Sequence, residues 1–195
     1  KLIKDESLTL IHPYDDTNVI LGQGTIGLEL MKNLPDLDAI VVPIGGGGLI
    51  SGISVAAKNI NPKLKIYGVQ TEKFPTMYNS YKRSKLKVSS DTLADGIAVK
   101  VPGEITSPII KKYVDDILLV DEFDIEKAIS NLFENERVVA EGAGAAGVAA
   151  ICKSPSRFKN LKVAIVICGG NIDARVFASI LNRKLSFDGR MTRVR

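Results

Sequence analysis

The residues best suited to chemistry are four consecutive glycines, Gly45, Gly46, Gly47 and Gly48, set between the apolar run Ala39–Ile44 and a helix-compatible stretch opening at Leu49. Such a run lets the backbone take positive φ and aims several N–H groups at one oxyanion. The following helix adds its free N-terminal donors and the positive end of its dipole. Phosphate binding is therefore the predicted chemistry, and spacing narrows its kind. Leu49 and Ile50 stand where a Walker-type loop needs Lys and Ser or Thr, which excludes that loop. A dinucleotide site is a weaker fit: Glu72 ends the next strand-like run, where a ribose-binding acid would sit, but "GGGGLISG" is an imperfect GxGxxG. A compact glycine nest suits one monoester phosphate on a small cofactor. The plain alternative, a tight turn with no ligand, carries a chain-entropy cost of about 0.5–1 kcal/mol for each glycine relative to Ala.

Three further positions qualify. Cys168 lies in a second glycine motif, "VAIVICGGNID", with a buried inert thiol as the alternative. Glu141 opens "EGAGAAGVAA", where small residues allow close packing; a carboxylate there is also favoured simply by the helix dipole. Gly96 follows Asp95 in "TLADGIAV", which reads equally as an Asp-Gly turn. His12 is the single histidine and precedes Pro13, so it reads as structural.

The elements that must position these residues alternate strand and helix. Leu8–Ile11, Ala39–Ile44, Lys65–Gln70, Ile117–Val120 and Lys162–Ile167 read as strands, the last four being β-branched runs of the kind buried on both faces. Helices are expected at Thr25–Asn33, Ser51–Asn59, Phe123–Glu136, Gly142–Cys152 and Ile172–Leu181, with Asp121 capping the third. Gly22 and Gly24 read as a turn before the first, which Thr25 would cap. The predicted fold is α/β, a mostly parallel sheet with helices on both faces. Both glycine motifs then fall at the carboxyl ends of strands, where such sheets bind ligands.

Together, and in this order, "HPYDD…VILGQGTIGLELM", "VVPIGGGGLISG", "TLADGIAV", "AEGAGAAGVAA" and "VICGGNID" resemble the threonine dehydratases and serine racemases of the fold type II, tryptophan synthase β-like pyridoxal-phosphate enzymes, over about His12 to Asp173. The resemblance implies pyridoxal 5'-phosphate as cofactor. It implies that Gly45, Gly46, Gly47, Gly48 and Leu49 take its phosphate, Cys168 (often Ser in the family) its ring nitrogen, and Glu141 and Gly96 the ring and substrate side. A thiol there favours a protonated ring nitrogen less than an aspartate would, which suits elimination at Cβ. The implied reaction is that of an ammonia-lyase, L-threonine to 2-oxobutanoate and ammonia, within isoleucine biosynthesis; serine racemase or serine dehydratase, and a non-catalytic cofactor-binding module, are the alternatives. The family's Schiff-base lysine sits in a Ser-Phe-Lys-x-Arg-Gly motif that this sequence does not contain, so no catalytic residue is assigned and the isolated chain is expected to be inactive. Residues 1–185 are expected to be the C-terminal portion of the large cofactor domain, incomplete here, and 186–195 a tail leading to a regulatory domain. Gln70 and Thr76 stand where some members carry cation-binding acids, so no metal is expected, although Glu72 could offer a displaced ligand.

Composition fits this picture. The chain is 45% hydrophobic and 25% charged, as in ordinary globular proteins. Its net charge of +4 is scattered, and the densest basic cluster, Lys82, Arg83, Lys85 and Lys87, reads as a solvated face and not a nucleic-acid site. No run approaches the ~18 apolar residues of a membrane span. Two cysteines, Cys152 and Cys168, sit in apolar sequence and are expected to be reduced thiols. The expected setting is cytoplasmic, with an amino-acid substrate, no nucleic-acid or membrane partner, and a homodimer or homotetramer.

Overall fold

A computed structural model of the chain describes residues 9–192. Four strands, β1 (Ala39–Pro43), β2 (Lys65–Thr71), β3 (Asp116–Val120) and β4 (Val163–Ile165), form one parallel sheet in the order β3-β2-β1-β4. Ala39 is in register with Lys65 on one side and Val163 on the other. All of β1 is buried, so both of its faces need apolar residues, and the alternation distributes them. Ile40, Val42 and Ile44 enter one core with Ile66 and Ile117; Val41 enters the other with Val69 and Val120.

Seven helices cover the two faces among the described residues. On the first side lie α1 (Thr17–Asn33), α2 (Gly48–Ile60), α3 (Thr76–Lys82) and α4 (Thr106–Tyr113), which send Met31, Ile50, Ile53, Met77 and Ile110 into the core. On the second lie α5 (Glu122–Glu136), α6 (Gly142–Lys153) and α7 (Ala174–Phe187), together with the 3-10 turns Asp95–Ile97 and Pro155–Phe158. The predicted parallel sheet with helices on both faces is the observed fold.

Several local expectations are corrected. Residues 9–11 form no strand, and Leu8 lies outside the described residues. The first helix starts eight residues earlier than expected, because Asp16 caps it by accepting from Asn18 N at 2.8 Å and Val19 N at 3.1 Å. Thr25 is mid-helix, donating back to Gly22 O at 2.8 Å. Gly22 and Gly24 are therefore helical. Gly24 and Gly27 instead let α1 press onto α2: a Cβ on Gly27 would stand 2.7 Å from Ile53 O. Asp121 caps α5 as predicted, in a capping box with Asp124. The last helix, expected at Ile172–Leu181, begins after its cap, Asp173, and runs to Phe187. Two short helices, α3 and α4, were not anticipated, and β4 is shorter than Lys162–Ile167.

Candidate functional site

β1 ends at Pro43, and Ile44 N still reaches Val69 O at 2.7 Å. The chain then leaves the sheet as the glycine loop and enters α2 at Gly48. Gly47 is the N-cap with φ +99°, a conformation that disfavours any side chain. The first bond closing the helix is Ser51 N to Gly47 O, 3.0 Å. Ahead of it, the N–H groups of Gly45, Gly46, Gly47, Gly48, Leu49 and Ile50 donate to no protein acceptor among the described residues. Buried or half-buried backbone donors require partners, and an array of this kind can bind an oxyanion. The missing side chains let Tyr14 pack directly against the loop. A Cβ on Gly46 would fall inside the Tyr14 ring, and one on Gly48 would stand 2.8 Å from Tyr14 O.

Gly45–Gly48 and Leu49 line one side of a cleft of about 340 Å³ whose other walls include Pro13, Tyr14, Gly96, Ile97 and Cys168. All but one of the sequence-predicted positions therefore share one cavity, which no lysine or arginine lines. Attraction for an anion there would have to come from backbone N–H groups and the α2 dipole. Glu141, the remaining position, stands just behind the lining. It is the N-cap residue of α6 but makes no capping bond with its side chain. Its carboxylate accepts from Asn171 N at 2.9 Å, and Glu141 N donates to Gly169 O at 3.1 Å. A Cβ on Gly96 would meet Glu141 Oε1 at 3.2 Å, so this carboxylate backs both Gly96 and the glycine motif after Cys168.

Cys168 opens on the cleft; it is exposed and free, as is Cys152, so neither sits in the apolar surroundings that the sequence suggested. Partial burial of the Cys168 thiol pushes its pKa up, and the nearby Glu141 charge pushes it further, which keeps the proton on Sγ. The loop carrying Gly96 is held from below by a residue that sequence reasoning missed. Glu122, in the first turn of α5, accepts from Thr92 Oγ1 at 2.6 Å and Leu93 N at 2.7 Å.

The remaining candidates have structural work. His12 Nδ1 accepts from Asp15 N at 2.9 Å. Gln70 is fully buried and ties Ile44 O (3.2 Å) to Tyr78 N (2.8 Å). Thr76 Oγ1 donates to Val99 O at 2.8 Å, and Glu72 pairs with Lys153 at 3.0 Å. Among the described residues no group of three or more His, Cys, Asp or Glu side chains could hold a metal ion. Lys82, Arg83, Lys85 and Lys87 are all exposed, and Lys82 pairs with Asp116 at 2.8 Å. No helix among the described residues is long and apolar enough to cross a membrane.

The parallel sheet, the glycine nest with its unclaimed donors and the neutral thiol at the far wall define an α/β protein built to hold a small phosphorylated cofactor at its strand ends. The chain belongs to the pyridoxal-phosphate dependent enzyme family, whose sequence model matches residues 1–169. It is 53% identical to L-threonine ammonia-lyase of Thermotoga maritima over 182 residues, 92% of this chain and 45% of the relative. It is 45% identical to the Escherichia coli K12 protein "L-threonine dehydratase catabolic TdcB", over 89% of this chain and 54% of the relative. Among solved structures, serine racemase from Dictyostelium discoideum superposes with a TM-score of 0.80 at 40% identity, over 88% of this chain and 56% of that one. The chain thus spans about half the length of the curated relatives it matches.

Proposed function

We propose that this chain is the C-terminal portion of the large cofactor domain, residues 1–185, of an L-threonine ammonia-lyase, and that 186–195 lead towards a further domain. The carrying observation is the cleft itself, lined both by the glycine loop, where six N–H groups have no partner among the described residues, and by the neutral thiol of Cys168. Pyridoxal phosphate fits that arrangement. Gly45–Gly48 and Leu49 would hold its phosphate, Cys168 its ring nitrogen, and Gly96 with Glu141 behind it the ring and substrate side. When bound, the cofactor supplies an electron sink for loss of the Cα proton and departure of the β-hydroxyl of L-threonine. Cys168 contributes by keeping its proton on Sγ, so that it offers the ring a neutral partner and not a charge. Glu141 accepts from Asn171 N and backs the walls that carry Gly96 and Cys168.

The names of the relatives support threonine as substrate, and the test is direct. The natural polypeptide carrying this sequence releases 2-oxobutanoate from L-threonine. Interconversion of L- and D-serine without release of a 2-oxo acid would replace this reading with a serine racemase, which the Dictyostelium neighbour favours. The isolated 195 residues are expected to show no turnover, and 2-oxobutanoate formed by that homogeneous chain would refute that expectation. We extend the reading to a cytoplasmic setting, supported by two free cysteines, and, from the family resemblance alone, to a homo-oligomer. A role in isoleucine biosynthesis predicts inhibition by isoleucine; the relative named as catabolic supports the breakdown role, for which no such inhibition is expected.

A further inference from the structure

The glycine loop does not hold its own shape. Its inner carbonyl, Gly46 O, accepts from Thr106 Oγ1 at 2.7 Å, and Thr106 is fully buried at the first position of α4. In a planar trans peptide the carbonyl of Gly46 and the N–H of Gly47 point in opposite directions. Thr106 does not line the cleft, so drawing Gly46 O towards α4 turns the Gly47 N–H the other way, into the donor array. The same helix wedges the next residue: a Cβ on Gly47 would meet Ile110 Cδ1 at 2.8 Å and Thr106 Oγ1 at 2.9 Å.

α4 in turn lacks an N-cap of its own, since Ile105 offers no side-chain acceptor. Asp15 takes that place from far away in sequence. Its carboxylate accepts from Glu104 N at 2.8 Å, Ile105 N at 2.9 Å and Thr106 N at 3.2 Å. Asp15 is itself held by His12 Nδ1, and the intervening Tyr14 seals the loop and donates to Val101 O at 3.2 Å.

We infer that Thr106, fixed by Asp15, is a positioning residue for the phosphate end of the cleft: its hydroxyl sets the Gly46–Gly47 peptide so that the loop's N–H groups converge on one oxyanion. This deepens the proposed reading of the glycine loop as the phosphate site and rests on it. The observable consequence is selective. Loss of the Thr106 hydroxyl weakens binding of a ligand through its phosphate and leaves the rest of the cleft intact.

The test compares pyridoxal phosphate with pyridoxal, which lacks the phosphate, by absorbance titration on the natural polypeptide carrying this sequence. The wild type prefers the phosphorylated form. Thr106→Val lowers that preference about tenfold, the scale of one buried hydrogen bond to a tethered carbonyl. Thr106→Ser, which keeps the hydroxyl, restores it, and Asp15→Asn, which weakens the cap on α4, lowers it in the same direction. If Thr106→Val does not fold, Asp15→Asn carries the comparison. An unchanged preference in the folded Thr106→Val protein, or in Asp15→Asn where that variant stands in, overturns the inference, as does failure of Ser to restore it. A wild type that binds the two forms equally overturns instead the phosphate reading itself.

Discussion

Gly47→Ala tests whether the bend in the loop is imposed by its surroundings. The new methyl group meets two obstacles. The backbone is held at φ +99°, which costs an L-residue about 1–2 kcal/mol. The methyl also stands 2.8 Å from Ile110 Cδ1 and 2.9 Å from Thr106 Oγ1, and Ile110 is fully buried and cannot swing aside, so overpacking adds about 1–3 kcal/mol. The sum, roughly 2–5 kcal/mol, is a large share of the ~5–15 kcal/mol by which domains are stable. With a urea m-value of about 2 kcal/mol/M, the midpoint falls by roughly 1–2.5 M. Gly22→Ala is the control. Gly22 is exposed on α1, and a Cβ there has nothing within 4 Å, so the better helix former gains about 1 kcal/mol and raises the midpoint by roughly 0.5 M. A Gly47→Ala midpoint equal to wild type would refute the wedge. A destabilised Gly22→Ala would restore the turn that the sequence alone suggested.

Three further outcomes are expected. Asp115 and Asp116 have lowered pKa values although burial pulls them upward, because Lys58, Lys65 and Ile66 N bind the first and Lys82, Arg157 and Ile117 N the second. Their stabilisation is full above the unfolded carboxylate value near 3.9 and is lost as pH falls through the lower folded values, so Asp115→Asn flattens the acid limb of melting temperature against pH; an unchanged slope would remove these pairs from the account. Glu141→Gln leaves burial in place but removes a charge, so the pH midpoint for alkylation of Cys168, followed by mass spectrometry, moves down; no movement would mean that the two groups do not sense each other. Glu122→Gln replaces the acceptor facing Leu93 N with an amide that satisfies the loop less well, so hydrogen exchange at Leu93 quickens by roughly tenfold, and protection equal to wild type would place the loop's anchor elsewhere.

How much was legible in the sequence depended on whether a residue's partner was nearby in the chain. The central strands announced themselves because a strand buried on both faces must be apolar throughout, as Ala39–Val42 is. The glycine loop and Cys168 were legible because both follow apolar β-branched runs, although β4, the edge strand before Cys168, is only half-buried and not the doubly covered strand its sequence suggested, and the resemblance named their partners. α1 was misplaced because Gly22 and Gly24 look like a turn; Gly24, with Gly27, instead allows close approach to α2, which no local pattern displays, and Gly22 is simply an exposed helical position. α4 was missed for the complementary reason. Its cap comes from Asp15, separated from Thr106 by 91 positions, so the helix has no start signal of its own. Thr106 went unnoticed because its acceptor is a backbone carbonyl 60 residues earlier. The "HPYDD" motif held the available clue, two adjacent aspartates serving two different helices, Asp15 for α4 and Asp16 for α1.

The sheet divides this protein into two cores, and the cleft straddles that division. The glycine end grows out of the layer containing Ile44, Ile50 and Ile110, whereas Gly96 and Glu141 ride on the layer containing Ala94, Ile97 and Ala143. The two ends of the site are therefore tuned through different sets of packing contacts. On the proposed reading, a substitution that loosens the first layer would change how firmly the ligand is gripped, and one that loosens the second would change what stands beside its reactive face. Grip and selectivity would then be separable traits in this architecture, open to alteration one at a time.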